Sequence, residues 1–285
     1  MIFYVLFFFL FFILFLSFWG FWQATHPPKI TSSLTPKDLG WQFEKVSLKT
    51  EDGLKLAAWF VPTEKQTDKA IVVLHGYPAD KGDLLYWVSF LQEDYNLLFF
   101  DFRYFGRSEG SYTSLGYHER KDVLAGIDFL KKRDIEKIGL MGFSFGASTA
   151  LLTLPQTKDV DAVVADSAFA SLDLMGEGYY GNIPFLQKPL ILLTKFWGRL
   201  VYGIDADEIT PETAVKEVQI PIFLIASRQD ETVPIENAER LKQALKGNPN
   251  AEFWFIDKGI HGSLSAESQN QYESKVLKSF KENLK

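Results

Sequence analysis

Six short runs of consecutive apolar residues recur along the chain: Ala70–Leu74, Asn96–Phe100, Lys137–Met141, Asp161–Ala165, Ile220–Ala226 and Glu252–Ile256. A strand wetted on one face alternates apolar with polar residues, whereas a strand covered on both faces is apolar throughout. Helical patterns lie between the runs. Tyr117–Lys132 sets Val123, Leu124, Ile127 and Leu130 on one face, and Glu236–Leu245 and Ser268–Leu284 are patterned alike. Ahead of them, Trp41–Lys49 and Leu54–Val61 flank Glu51-Asp52-Gly53, a hairpin signal. An antiparallel start followed by repeated β–α units predicts an α/β domain over 41–285. Its sheet is expected to be mostly parallel and eight-stranded, with helices on both faces.

The chain opens differently. Met1–Trp22 has no charged side chain and holds nine of the 26 Phe residues. Roughly 20 apolar residues span a bilayer as a helix. A cleaved secretory signal is the competing reading, but it calls for a basic start, a shorter apolar stretch and small residues before the cut. This segment lacks the basic start and runs on to Phe21-Trp22, so residues 1–22 are expected to be a retained single-pass anchor. Trp19 and Trp22 suit the membrane interface. Residues 23–40, with Pro27, Pro28 and Pro36, read as a stiff linker lifting the domain from the surface. Lys29 and Lys37 follow the segment and no Lys or Arg precedes it, which favours a cytoplasmic domain.

One connection is oversized, about 173–219. Insertions of that length in compact domains usually carry function. Within it, Pro189–Tyr202 is strongly apolar. It is either a helix packed on the sheet edge or a lid that covers a substrate pocket or touches lipid.

Gly142-Phe143-Ser144-Phe145-Gly146 follows the run Lys137–Met141 and precedes Ala147–Leu154, a good helix former that Pro155 ends. A G-x-S-x-G pentapeptide arises by chance in many chains, but the strand–turn–helix setting is the one a nucleophile elbow requires. A serine hydroxyl needs a base within hydrogen-bond reach. The chain has four His: His26 in the linker, His118 opening a helix, His75 ending a strand early in the chain, and His261 just after the last strand. His261 is the candidate base. Asp230, after the run Ile220–Ala226, is the candidate acid, with Asp166 and Glu231 as rivals. Backbone N–H groups of Phe145 and Tyr77 are the candidate oxyanion donors.

Together these residues resemble the α/β-hydrolase superfamily. Within it they are most similar to single-pass, membrane-anchored serine hydrolases of the serine aminopeptidase and prolyl-oligopeptidase-like group. The likeness runs from about Trp41 to the C-terminus through HGYP at 75–78, DFRYFGRSEG at 101–110, GFSFG at 142–146, Asp230–Pro234 and His261-Gly262. Two positions depart from the family pattern. Tyr104 replaces the first Gly of D-x-R-G-x-G-x-S, and Ser227 stands where a Gly often precedes the acid loop. The resemblance implies an α/β-hydrolase fold, hydrolysis of esters, thioesters or amides, and no cofactor.

Other chemistries have little to stand on. The net charge of −6 comes without a basic cluster, which argues against nucleic-acid binding. There is no Cys, and four dispersed His offer no metal-ligand spacing. Three functions stay open: an acyl hydrolase acting on small-molecule or lipid-like substrates at a membrane, a peptidase or acyltransferase on the same fold, and a catalytically silent binding module.

Overall fold

A computed structural model describes residues 2–285. The eight expected strands form one sheet: β1 (Glu44–Lys49), β2 (Lys55–Val61), β3 (Lys69–Leu74), β4 (Asn96–Phe100), β5 (Lys137–Phe143), β6 (Ala162–Asp166), β7 (Ile222–Ser227) and β8 (Ala251–Ile256). Their order across the sheet is β1-β2-β4-β3-β5-β6-β7-β8. β1 and β2 pair antiparallel, as do β2 and β4; every pairing from β4 onward to β8 is parallel.

The apolar runs are strands because alternate residues enter two different cores. On one face, Val72, Leu140 and Val163 stand in register across β3, β5 and β6. Helices α2 (Glu119–Lys131), α3 (Phe145–Thr153) and α7 (Ile235–Ala244) cover that face with Val123, Ile127, Ala147, Leu151 and Leu241. On the other face, Ile71, Val73, Met141 and Val164 meet Tyr272, Val276 and Phe280 of α8 (Ala266–Asn283). Full burial of each large apolar side chain contributes about 1.5–3 kcal/mol, so a wholly apolar strand is stable only with both faces covered. Helix α3 is buried on every side, which leaves its hydroxyls no water. Thr149 and Thr153 instead donate to the carbonyls of Phe145 and Thr149, one turn back.

Between β6 and β7 the long connection folds into α4 (Leu172–Tyr179), α5 (Pro184–Tyr202) and α6 (Pro211–Ala214). Helix α1 (Ile2–Thr25) has a mean hydropathy of 2.7 and is long and apolar enough to cross a membrane. Most of its side chains are exposed. The buried ones, Ile13, Ser17, Gly20, Phe21 and Thr25, recur at helical spacing; Ile13, Ser17 and Phe21 face α5, and Gly20 faces Tyr180 at the end of α4. Trp197 Nε1 donates to Ser17 Oγ at 3.0 Å, and the Phe21 and Tyr202 rings are 5.4 Å apart.

The stretch after α1 does not stand away from the domain as the prolines suggested. Tyr104 Oη donates to Pro27 O at 2.6 Å, Thr113 N to Thr25 O at 3.0 Å, and Ser32 N to the Asp80 carboxylate at 2.8 Å. Proline content speaks to chain stiffness; the partners that pin this segment come from residues far along the chain. Tyr104 also explains one departure from the family pattern. It keeps the glycine-like backbone, φ 72°, and its side chain ties down the N-terminal segment.

Candidate active site

Ser144 sits at the sharp turn between β5 and α3, with φ 53° and ψ −116°. A non-glycine residue in such a conformation costs on the order of 1–3 kcal/mol and persists only where its surroundings hold it. Ser144 N donates to Asp166 O at 2.7 Å, and Ser148 N donates to Ser144 O at 3.0 Å. Both flanking glycines are required by close approach. A Cβ on Gly146 would lie 2.2 Å from Leu74 O, and one on Gly142 would lie 2.5 Å from the Ala147 backbone.

His261 reaches the serine from the segment that follows β8, the edge strand of the sheet. It occupies the tip of a two-stranded ribbon, Gly259–Ile260 paired with Ser263–Leu264, that follows β8. Gly262 turns the tip at φ 69° and packs on Phe143. Nδ1 of His261 is 2.6 Å from Asp230 Oδ2, and Nε2 is 3.0 Å from Ser144 Oγ. A carboxylate can only accept, so Nδ1 carries the proton and Nε2 is left to accept from the serine hydroxyl.

Asp230 follows β7, and its other oxygen accepts from Thr232 N at 2.9 Å and Val233 N at 2.8 Å. Its side chain is 1% exposed. Burial pushes its pKa up, but the His261 contact and the two backbone donors outweigh that, and the carboxyl lies below its usual range. Asp230 thus stays ionised beside the imidazole.

The rival acids fall elsewhere. Glu231 is exposed. Asp166 is buried and accepts from Tyr272 Oη at 3.0 Å and Ser167 Oγ at 3.1 Å, with no hydrogen bond to His261. Burial drives its pKa up to about 6 despite those two donors. Tyr272 Oη in turn accepts from Trp87 Nε1 at 2.8 Å. This line of groups leaves no local pattern in the sequence, since β6, α8 and the loop after β3 supply its members.

The other histidines are occupied. His75 is fully buried, donates from Nδ1 to Gly76 O at 2.7 Å and accepts Phe102 N on Nε2 at 3.0 Å. Burial lowers its pKa, keeping it neutral as a staple between the β3 end and the 101–110 loop. His26 stacks on Trp22 at 3.8 Å, and His118 lies just ahead of α2.

The Gly76-Tyr77 turn lies against the serine, where a Cβ on Gly76 would be 3.7 Å from Ser144 Cβ. The Tyr77 ring meets Phe145 edge-on at 6.3 Å. Neither Tyr77 N–H nor Phe145 N–H donates to a protein acceptor among the described residues. Tyr77 Oη donates to Ala24 O at 3.1 Å, so the end of α1 abuts this turn. Ser227, the second departure, earns a role here as well: its hydroxyl donates to Gly259 O at 2.5 Å, joining the acid loop to the ribbon that carries His261.

A family model described as alpha/beta hydrolase fold matches residues 69–182. The chain is similar to the Pyrococcus furiosus esterase Pf2001, with 30% identity and a TM-score of 0.75 over 91% of this chain and all of that one. It is 28% identical to the uncharacterized protein YqkD of Bacillus subtilis over 76% of this chain and 72% of that protein. The acylaminoacyl peptidase of Pyrococcus horikoshii shares the fold, with 19% identity and a TM-score of 0.68 over 86% of this chain and 42% of that one.

Proposed function

The chain belongs to the α/β-hydrolase superfamily, and on that premise we propose that it is a serine hydrolase cleaving carboxylic ester or thioester bonds. The observation that carries the reading is the line of hydrogen bonds from Ser144 Oγ through His261 to Asp230. Ser144 Oγ attacks the acyl carbon while its proton passes to His261 Nε2. Asp230 holds the ring and stabilises the imidazolium that forms. The N–H groups of Phe145 and Tyr77 receive the oxyanion. Collapse breaks the bond to the alcohol or thiol, which leaves with the proton from His261. A water, deprotonated by the same nitrogen, then cleaves the acyl-enzyme and regenerates Ser144.

In this reading helix α1 is the membrane anchor and the catalytic domain lies on the cytoplasmic side, a side that Lys29 and Lys37 favour. A site against the end of an apolar helix suits lipid-like acyl substrates. The 30% identical relative is named an esterase, which supports an ester over an amide as the bond cleaved.

The test is hydrolysis by detergent-solubilised full-length protein of p-nitrophenyl esters of graded chain length and of aminoacyl p-nitroanilides. Turnover of esters that Ser144→Ala abolishes is the expected result. Preferential cleavage of the anilides would replace the esterase reading with a peptidase. Inertness of a folded wild type towards both would favour the binding module.

A further inference from the structure

The outer face of α5 is apolar and has no protein neighbour among the described residues. Phe185, Leu192, Phe196 and Leu200 are 52–79% exposed and fall on one side of the helix, with Lys188 and Arg199 along one flank. Helices α1 and α5 run side by side in the same direction. Ile13 clusters with Leu190, Ser17 bonds Trp197, Phe21 meets Tyr202, and His26 Nε2 lies 3.3 Å from Tyr202 Oη.

That alignment decides what covers the stripe. The part of α1 before Ile13 measures only about 17 Å at 1.5 Å per residue. A bilayer's hydrocarbon is roughly 30 Å thick. If α1 spans, hydrocarbon must therefore continue past Ile13 towards Trp22, the level at which α5 lies alongside. We propose that the outer face of α5 is a lipid-contacting surface, seated in the leaflet nearest the catalytic domain and continuous with α1. The inference rests on the reading of α1 as a membrane span. The chemistry of the helix agrees. Its outer row is uncharged, and Arg199, level with the Trp19–Trp22 end of α1, has a stem long enough to let its charge rise to the headgroup phosphates. Lys195, on the same flank, is taken up by Asp173 and Asp207. The consequence is that the membrane holds the α4–α5 insertion in place from outside while Tyr77, one side chain from the serine's neighbour Phe145, is held by the end of α1.

The chain has no Cys, so single cysteines can carry a fluorescent probe. Full-length protein is labelled at Phe8→Cys, Phe196→Cys or Glu93→Cys and reconstituted in phosphatidylcholine/phosphatidylglycerol vesicles with or without brominated acyl chains. Expected is at least about twofold quenching by brominated lipid at positions 8 and 196 and little at 93. Quenching at 8 with position 196 as open to aqueous iodide as position 93 overturns the inference and leaves the anchor standing. Absence of lipid quenching at both 8 and 196 removes the anchor reading and the inference together. Leu192→Cys repeats the measurement on the same stripe should Phe196→Cys not fold.

Discussion

Around Ser144 two carboxylates of similar burial do opposite things. Asp230 is held ionised by His261 and two backbone donors, whereas Asp166, whose donors are hydroxyls, is driven up to about 6. Replacing Asp230 by Asn forces the imidazole into the wrong tautomer. It should lower kcat by about 10²–10⁴-fold with the thermal midpoint almost unchanged, as ester turnover and calorimetry would report. For Asp166 the sign runs the other way. Its folded pKa lies above the unfolded value, so the folded state binds the extra proton between about pH 4 and 6, and stability is lost as pH rises through that window. Asp166→Asn should therefore gain on wild type by on the order of 2–3 kcal/mol between pH 4 and pH 7, seen as a widening gap in unfolding midpoint. A constant gap would mean that Asp166 titrates normally. Ser144 was legible from its pentapeptide and setting, and His261 from the scarcity of histidine. Chain order favours Asp230 over Asp166 as the candidate acid, and in the structure Asp230 hydrogen-bonds His261 while Asp166 accepts from Tyr272. The Tyr272–Asp166 contact was not legible, because it joins residues more than a hundred positions apart with no local pattern to mark them.

At the scale of elements, the elbow depends on how closely α3 can approach β3. Gly146 lies under the carbonyls of Leu74 and His75, and neither can move without disturbing the centre of the sheet. Gly146→Ala should cost more than about 3 kcal/mol or prevent folding, measured as soluble yield and urea midpoint. An equally stable Gly146→Ala protein would contradict this account of the turn. Phe280→Ala, which empties the α8 contact with Gly139, should cost about 3–5 kcal/mol. Strands and the helices α2, α7 and α8 could be read from periodicity because burial on one or two faces writes itself into residue spacing. The ribbon carrying His261 could not: two residues per strand are too few to show a period. In sequence the long connection reads as one insertion; its division into α4, α5 and α6 follows from local signals, Ser171 Oγ accepting from Leu174 N, Pro184 and Pro211 opening α5 and α6, and Gly203 after α5, which are easily mistaken for loop chemistry.

Across the whole molecule, the N-terminal helix and the catalytic domain form one connected body. Contacts from Ser17 and Phe21 to α5, from Gly20 to Tyr180 at the end of α4, and from Ala24 to Tyr77 tie the apolar helix to the neighbourhood of the serine. Their residues are unremarkable in sequence, so an anchor and a spacer were all that composition could suggest. The protein in membranes should resist extraction by alkaline carbonate and require detergent for release, and release by carbonate would contradict a spanning α1. The claim on which the rest depends is that Ser144 is an activated nucleophile. Its most direct test is labelling of the detergent-solubilised full-length protein with a fluorophosphonate, followed by mass mapping of the adduct. The account predicts a single adduct on Ser144, absent in Ser144→Ala and strongly reduced in His261→Ala. A folded wild-type protein that takes up no label, or carries it on another residue, would contradict it.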